Sequence, residues 1–214
     1  MQWLIATRNH GKLTELAPML AARGIGAIGL EDAGIAYDPA EDSIECFDSF
    51  EENASAKARY FAARTGMPCL SDDSGLCIDA LNGRPGVRSR RFAIDERHPR
   101  RSGASEDDAN NDAMLDACWN SGWAPPWAAH YACVAAFADG ARELTADGST
   151  AGVIVPEPLG DGGFGYDPYF VSTELGVSFA IASREAKAQV SHRARAVRGL
   201  LTRVFSTHSG ASAR

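Results

Sequence analysis

Lys12, Lys57 and Lys187 are the three lysines of a chain whose other eighteen basic side chains are all arginine. Arginine is a planar fork and lysine a compact point charge on a flexible stem, so a tight phosphate site selects the second. Chance retention of three lysines is the competing account. Lys12 closes the run Thr7-Arg8-Asn9-His10-Gly11-Lys12 between an apolar strand pattern and a helical one. Backbone N–H groups at a helix start, a hydroxyl, an amide and a lysine together suit a phosphate chain. The Gly-x-x-x-x-Gly-Lys-Ser/Thr spacing of a P-loop is absent, and a plain polar strand-to-helix turn has the same composition.

Lys57 belongs with a set of carboxylates: Glu45 upstream, and Asp72-Asp73 in Ser71-Asp72-Asp73-Ser74-Gly75 downstream. Adjacent carboxylates repel, and a cation such as Mg²⁺, which takes a few carboxylates plus substrate phosphates, relieves that repulsion. A solvated turn accounts for the same residues. Glu51 and Glu52 read as charges at a helix N-terminus. Farther on, Gly162-Gly163-Phe164-Gly165-Tyr166-Asp167-Pro168 places aromatics among glycines. Backbone can approach a flat ring there, Phe164 or Tyr166 can stack on it, and Asp167 can read its edge. The alternative is a glycine-rich turn with one core aromatic. Lys187 precedes Ser191-His192-Arg193, where Ser191 capping a helix would turn His192 and Arg193 toward an anion. An arginine-rich amphipathic helix continuing through Arg195, Arg198 and Arg203 is the other reading.

The elements that would position these residues follow from periodicity. Trp3 to Ala6 reads as a buried strand, and Leu13, Leu16, Leu20 and Ala21 recur at helical spacing from Lys12 to near Gly24, with Pro18 expected to kink the helix. Ile25 to Leu30 is a second strand, and Glu31 to Asp48 a loop. Ser49 with Glu52 forms a capping pattern for an alanine-rich helix that Gly66 and Pro68 stop. Cys69-Leu70 enters the Ser71–Gly75 turn, and a strand resumes over Leu76 to Leu81. A helix spans about Ser105 to Trp119. A hairpin runs from Ala129 to Ala146 through Asp139-Gly140, and a strand covers Gly152 to Val155. Pro156 to Tyr169 is a structured loop. Ser183 to Phe205 is helical with a break near Ser191, and Ser206 to Arg214 is a flexible tail. Strands and helices mix without strict alternation, which predicts an α/β fold on a mixed sheet. One domain is expected over residues 1–205.

With 214 residues and a formal charge of −7, the chain can bury a core of its own. It lacks the basic footprint of a duplex-binding protein, so no nucleic-acid partner is expected. No apolar run approaches the roughly 18 residues of a membrane span, and the opening Met1 to Ala6 is too short for a signal-peptide core. Five cysteines without C-x-x-C spacing fit free thiols in a reducing cytoplasm.

Taken in order, six segments resemble the inosine triphosphate pyrophosphatase family. They are Thr7 to Lys12, Ser49 through Arg59, Leu70 to Leu76, Gly83 through Ala93, Gly162 to Phe170, and Ser191-His192-Arg193. The Asp-Asp-Ser-Gly-Leu and Gly-Phe-Gly-Tyr-Asp-Pro blocks are the specific ones, and all three lysines fall on positions that family uses around the triphosphate. The resemblance implies a two-lobed mixed α/β fold with the active cleft between the lobes, usually a homodimer. It implies hydrolysis of ITP, dITP or XTP to the monophosphate and pyrophosphate. By the same resemblance, Thr7, Arg8, Asn9, His10, Gly11 and Lys12 hold the phosphates, with Lys57 and Lys187 adding charge. Glu45 and Asp73 bind Mg²⁺, and Asp73 is also the base for the attacking water. Ser74 touches the substrate, Phe164, Gly165, Tyr166 and Asp167 line the base pocket, and His192 and Arg193 meet the 6-keto edge.

Five positions depart from the family's pattern: Ile181 for a glutamate, Ala188 for an asparagine, Ala194 for a glycine, and Arg8 and His10, which are bulkier or more basic than the usual loop residues. Residues 95–127 match weakly. These departures keep two alternatives in view, the same chemistry on another modified or pyrimidine triphosphate and a non-catalytic nucleotide sensor.

Overall fold

The computed structural model describes residues 1–206. The tail expected from Ser206 onward lies outside the described residues except for Ser206 itself, which closes the last helix. In chain order the elements are β1 (Gln2–Ile5), α1 (His10–Ala21), β2 (Gly26–Gly29), α2 (Phe50–Thr65), β3 (Cys69–Ile78), α3 (Phe92–Asp95) and α4 (Glu106–Asn120). There follow β4 (Trp127–Ala138), β5 (Glu143–Ile154), β6 (Phe170–Ser172), α5 (Arg184–Val190) and α6 (His192–Ser206). The strands are hydrogen-bonded in the order β2-β1-β3-β4-β5-β6. β1 runs parallel to β2 and β3, whereas β5 and β6 are antiparallel, so the sheet is mixed as the sequence implied.

The chain divides into two compact units. The first holds Met1–Asp73, Cys133–Gly148 and the chain from His192 onward. Its β1 is apolar without alternation because both faces are covered, the pattern expected of a parallel strand. Trp3 and Ile5 pack with Leu16 and Leu20 of α1 and with Val197 and Leu200 of α6. Leu4 and Ala6, pointing the other way, pack with Ala54, Ala58 and Phe61 of α2. Ser49 caps α2 by accepting from the Glu52 N–H at 3.2 Å, and Gly66 ends it at φ 68°. The helix expected from Lys12 begins two residues earlier, with Asn9 as its cap.

The second unit comprises Ser74–Ala132 and Ser149–Ser191. Its core gathers Leu76, Ile78, Phe92, Met114, Trp127 and Ile154 around Tyr131, Phe170 and Phe179, whose rings lie 4.6 to 6.0 Å apart. Ser105 and Asp108 form the capping box that opens α4.

Two expected breaks are absent. The Ser71–Gly75 turn is instead the middle of a ten-residue strand, β3, and β5 runs unbroken where a gap was expected between Ala146 and Gly152. In both places a glycine answers a close approach of backbone, and Gly75 is the one that reads as part of a turn in the sequence. A Cβ on Gly75 would stand 2.1 Å from the Gly86 carbonyl oxygen, and one on Gly148 would stand 2.3 Å from that of His192. The helical run from Ser183 does break at Ser191, between α5 and α6.

Candidate active site

Each of the three lysines is largely buried and each pairs with a carboxylate. Lys12 Nζ lies 3.1 Å from Asp72 Oδ2, Lys57 pairs with Glu45, and Lys187 Nζ lies 2.6 Å from Asp167 Oδ2. Surface solubility is left to the arginines. In an acidic chain the lysines are fixed charges placed against specific acids, the use that a compact ammonium suits.

In the first unit, α2 carries Asn53 and Lys57 one turn apart on its buried side, otherwise made of Ala54, Ala58, Phe61 and Ala62. β3 presents Asp72 and Asp73, and the loop before α2 presents Glu45. Asn53 ties these together. Its Nδ2 donates to Asp73 Oδ2 at 3.0 Å and to the Phe47 carbonyl at 3.1 Å, and its Oδ1 accepts from the Phe47 N–H at 3.0 Å. One amide thus links the Glu45 loop to the Asp73 carboxylate.

The two aspartates are neighbours in sequence with opposite environments. Burial works against the charge on Asp72, but Lys12, Arg193 and Lys57 outweigh it and hold that carboxyl well below the usual range. Burial pushes the Asp73 carboxyl up; Lys12 and Lys57 oppose this and the Glu45 carboxylate adds to it. Burial alone would raise Glu45, and the Lys57 ammonium reverses that. Burial alone would lower Lys57, and Glu45, Asp72 and Asp73 keep it protonated. Pairs of carboxyls pushed apart in this way divide roles, one fixed as an anion and one able to take a proton.

The Thr7–Lys12 segment is ordered by its own side chains. Thr7 Oγ1 accepts from the Asn9 N–H, and Asn9 Oδ1 accepts from the Lys12 N–H, both at 3.1 Å. His10 is exposed and Gly11 follows it in the first turn of α1. Arg8 forks onto Glu41 with two contacts of 2.8 Å. Arg193 is fully buried and donates to Asp72 Oδ2 at 3.0 Å and to Glu15. His192 is buried at the first position of α6. Glu15, Glu41 and Asn53 received no role from the sequence. Asn53 had a signal: it is an amide in the buried stripe of an alanine-rich helix, a turn before Lys57.

In the second unit, Ser74 follows Asp73 on β3. The Gly162–Pro168 loop closes on Asp167, whose Oδ2 accepts from the Phe164 N–H at 3.0 Å and from Lys187. Gly163 has φ 73°, and a Cβ there would meet Asp167 Oδ2 at 2.2 Å. Lys187 Nζ sits 5.0 Å from the centroid of Phe164. Tyr166 is a core ring whose hydroxyl donates to the Ser89 carbonyl at 2.7 Å. Phe164 is therefore the more exposed of the two rings.

Among the described residues, no group of three or more His, Cys, Asp or Glu side chains could hold a metal ion. Glu45 and Asp73 still suit a hard dication. Both offer oxygen, and the charge on Asp73 is disfavoured by burial and by Glu45, a penalty that a cation would relieve.

Residues 3–203 match the sequence model of the Ham1 family. The chain belongs to the Ham1 family. A relative from Nocardia farcinica, named dITP/XTP pyrophosphatase, is 42% identical over 202 residues, 92% of each chain. The structure of a HAM1 protein from Coxiella burnetii superposes with a TM-score of 0.78 at 32% identity, covering 96% of this chain and 99% of that one. The crystal structure of a nucleoside-triphosphatase, dITP/XTP pyrophosphatase, from Mycobacterium abscessus does so with 0.66 at 36%, covering 94% and 99%. The resemblance carried by the six segments and the mixed α/β fold agree with Ham1 membership. No described helix of this Ham1 chain is long and apolar enough to cross a membrane.

Proposed function

We propose that this chain is a nucleoside triphosphate pyrophosphatase that cleaves ITP, dITP and XTP to the monophosphate and pyrophosphate. The observation that carries the reading is the Glu45–Lys57–Asp73 group held by Asn53, with Asp72 fixed as an anion beside it. The names of the Ham1 relatives supply the substrate class.

Water attacks the α-phosphorus. A bond forms from the water oxygen to phosphorus, the bond from phosphorus to the α–β bridging oxygen breaks, and pyrophosphate leaves. Asp73 takes the water's proton at a carboxylate oxygen; its raised pKa makes it the better base of the two aspartates. Asp72, held ionised by Lys12 and Arg193, instead keeps those cations in place. Lys57 and Lys12 offset charge developing on the phosphate oxygens, and the first turn of α1 from His10 adds its N–H groups. Glu45 and Asp73 would hold Mg²⁺, which when bound neutralises phosphate charge and orients the chain. Phe164 offers a ring face to the base, Asp167 and Lys187 shape the loop that carries it, and His192 is the candidate donor to the keto edge. Arg193 acts through Asp72 and Glu15. A donor facing the 6-keto oxygen meets a donor in adenine, at about 1–3 kcal/mol for an unsatisfied buried group.

The test is pyrophosphate release with Mg²⁺ across inosine, deoxyinosine, xanthosine, adenosine, guanosine, uridine and cytidine triphosphates. Strong preference for the first three is expected, and Asp73→Asn should lower kcat by about 100-fold or more. Full activity in Asp73→Asn removes the assignment of the base. Turnover led by another nucleobase keeps the phosphate chemistry and overturns the roles given to Phe164 and His192. We read the enzyme as a cytoplasmic homodimer; light scattering of the purified chain checks the dimer.

A further inference from the structure

Two side chains of α4 grip one residue of the Gly162–Pro168 loop. The Gly165 N–H donates to Asp107 Oδ2 at 2.7 Å, and Asn111 Nδ2 donates to the Gly165 carbonyl at 3.1 Å. Asp107 and Asn111 stand four residues apart, on one face of the helix. Between them they fix both polar groups of the residue that joins Phe164 to Tyr166. Gly165 has φ 62°, and a Cβ there would meet nothing within 4 Å. What holds it in this conformation is the α4 pair. The far ends of the loop are tied separately, by Asp167 to Phe164 and by Tyr166 to Ser89.

Asn111 shows that the arrangement is costly. It is buried, and its Oδ1 has no hydrogen-bond partner among the described residues. Swapping the two ends of the amide would turn Oδ1 toward the Gly165 carbonyl, so that carbonyl fixes the orientation. A leucine would fill similar volume without a buried orphan acceptor. Fold stability alone therefore does not account for an amide here; the donor to Gly165 does.

We infer that Asp107 and Asn111 are positioning residues for base discrimination, setting the Phe164 ring through the backbone of Gly165. The inference rests on the reading that this loop faces the nucleobase. It gives a role to part of residues 95–127, the stretch that the sequence motifs left without one. An acid at Asp107 also suits the first turn of a helix, so the test separates acceptor from charge.

The experiment measures pyrophosphate release by the full chain with Mg²⁺ and dITP, dGTP or dATP, together with thermal melting. The variants are Asp107→Ala, Asp107→Asn, Asn111→Leu and, as a control on the loop, Phe164→Ala. Asp107→Ala and Asn111→Leu should each raise the dITP KM by about tenfold, the scale of one charge-assisted or well-oriented hydrogen bond. In both, kcat stays within about twofold, since the phosphate groups are untouched, and the preference for dITP over dGTP narrows. Asp107→Asn, which keeps an acceptor, restores the parent KM. Asn111→Leu should melt close to the parent temperature, because losing the orphan acceptor offsets losing the donor to the Gly165 carbonyl. Unchanged KM and preference in both α4 variants, with Phe164→Ala still altering them, overturns the inference and leaves the loop reading standing. An inert Phe164→Ala overturns both. A rise in KM accompanied by a lower melting temperature in Asn111→Leu marks the residue as merely structural and overturns its positioning role.

Discussion

At the scale of single residues, the candidate chemistry was legible by type and its structural support was not. Glu45, Lys57, Asp73 and the Thr7–Lys12 run stood out by residue type and by the order of the segments that carry them. The residues that hold them are amides and paired acids whose roles depend on what lies across the fold: Asn53, Glu15, Glu41. Asn53 is the clearest case. Its side-chain amide bonds the Phe47 backbone and Asp73, and none of these bonds stabilises its own helix. Removing the amide leaves a buried carboxylate one donor short and frees the loop that carries Glu45. Asn53→Ala should cost about 1–3 kcal/mol of stability, by the penalty for unsatisfied buried groups. It should also lower kcat for dITP more than it raises KM, because in the proposed mechanism the displaced groups act on the proton and the phosphate rather than on the base. Denaturant unfolding and steady-state kinetics on the same preparation check both halves. A variant that loses stability but keeps kcat would make Asn53 a plain core amide.

At the scale of elements, the helices were readable because caps are local. Ser49 with Glu52, Ser105 with Asp108, and the break at Ser191 depend on residues within a turn of one another. The strands were harder. β3 runs straight through Asp72 and Asp73 because Lys12, Arg193 and Asn53 satisfy those carboxylates from elsewhere in the fold, and no local signal carries that information. Gly75 misled for the same reason, since a glycine kept for close backbone approach has the sequence signature of a turn, and Gly148 meets backbone as closely. Gly75→Ala and Gly148→Ala should each therefore destabilise by about 1–3 kcal/mol, the usual cost of overpacking against rigid neighbours. Both would-be contacts are backbone atoms at 2.1 to 2.4 Å, which cannot move aside as a side-chain tip can. Gly24→Ala, with φ 69° but open space around the new methyl, is the matched control, since its strain is conformational alone. Chemical denaturation of the three variants checks the order. A Gly75→Ala chain as stable as the parent would return that glycine to the role of a turn former.

At the scale of the whole molecule, four thiols and a phenol lie inside the two units in neutral form. Burial pushes the thiol of Cys69 up to about 12 and that of Cys118 up to about 11 from an ordinary value of 9.0. Burial likewise raises Cys77, Cys133 and the Tyr166 hydroxyl, with Asp79, Asp72 and Asp107 respectively adding to it. A group whose folded pKa stands above its unfolded value holds its proton more tightly in the native chain. Its contribution to stability is complete below the unfolded value and is lost as pH rises toward the folded one. These groups therefore leave stability unchanged up to about pH 8 and erode it between about 9 and 12. The melting temperature should fall progressively over that window, and Cys69→Ala should flatten part of the fall. Cys46 is exposed while the other four thiols are buried, so an alkylating reagent at pH 8 should add one label to the native chain and five to the unfolded one. Intact-mass spectrometry counts the labels. More than one rapid native label would show that a buried thiol opens to solvent, and the alkaline erosion would then start from local opening rather than from global unfolding.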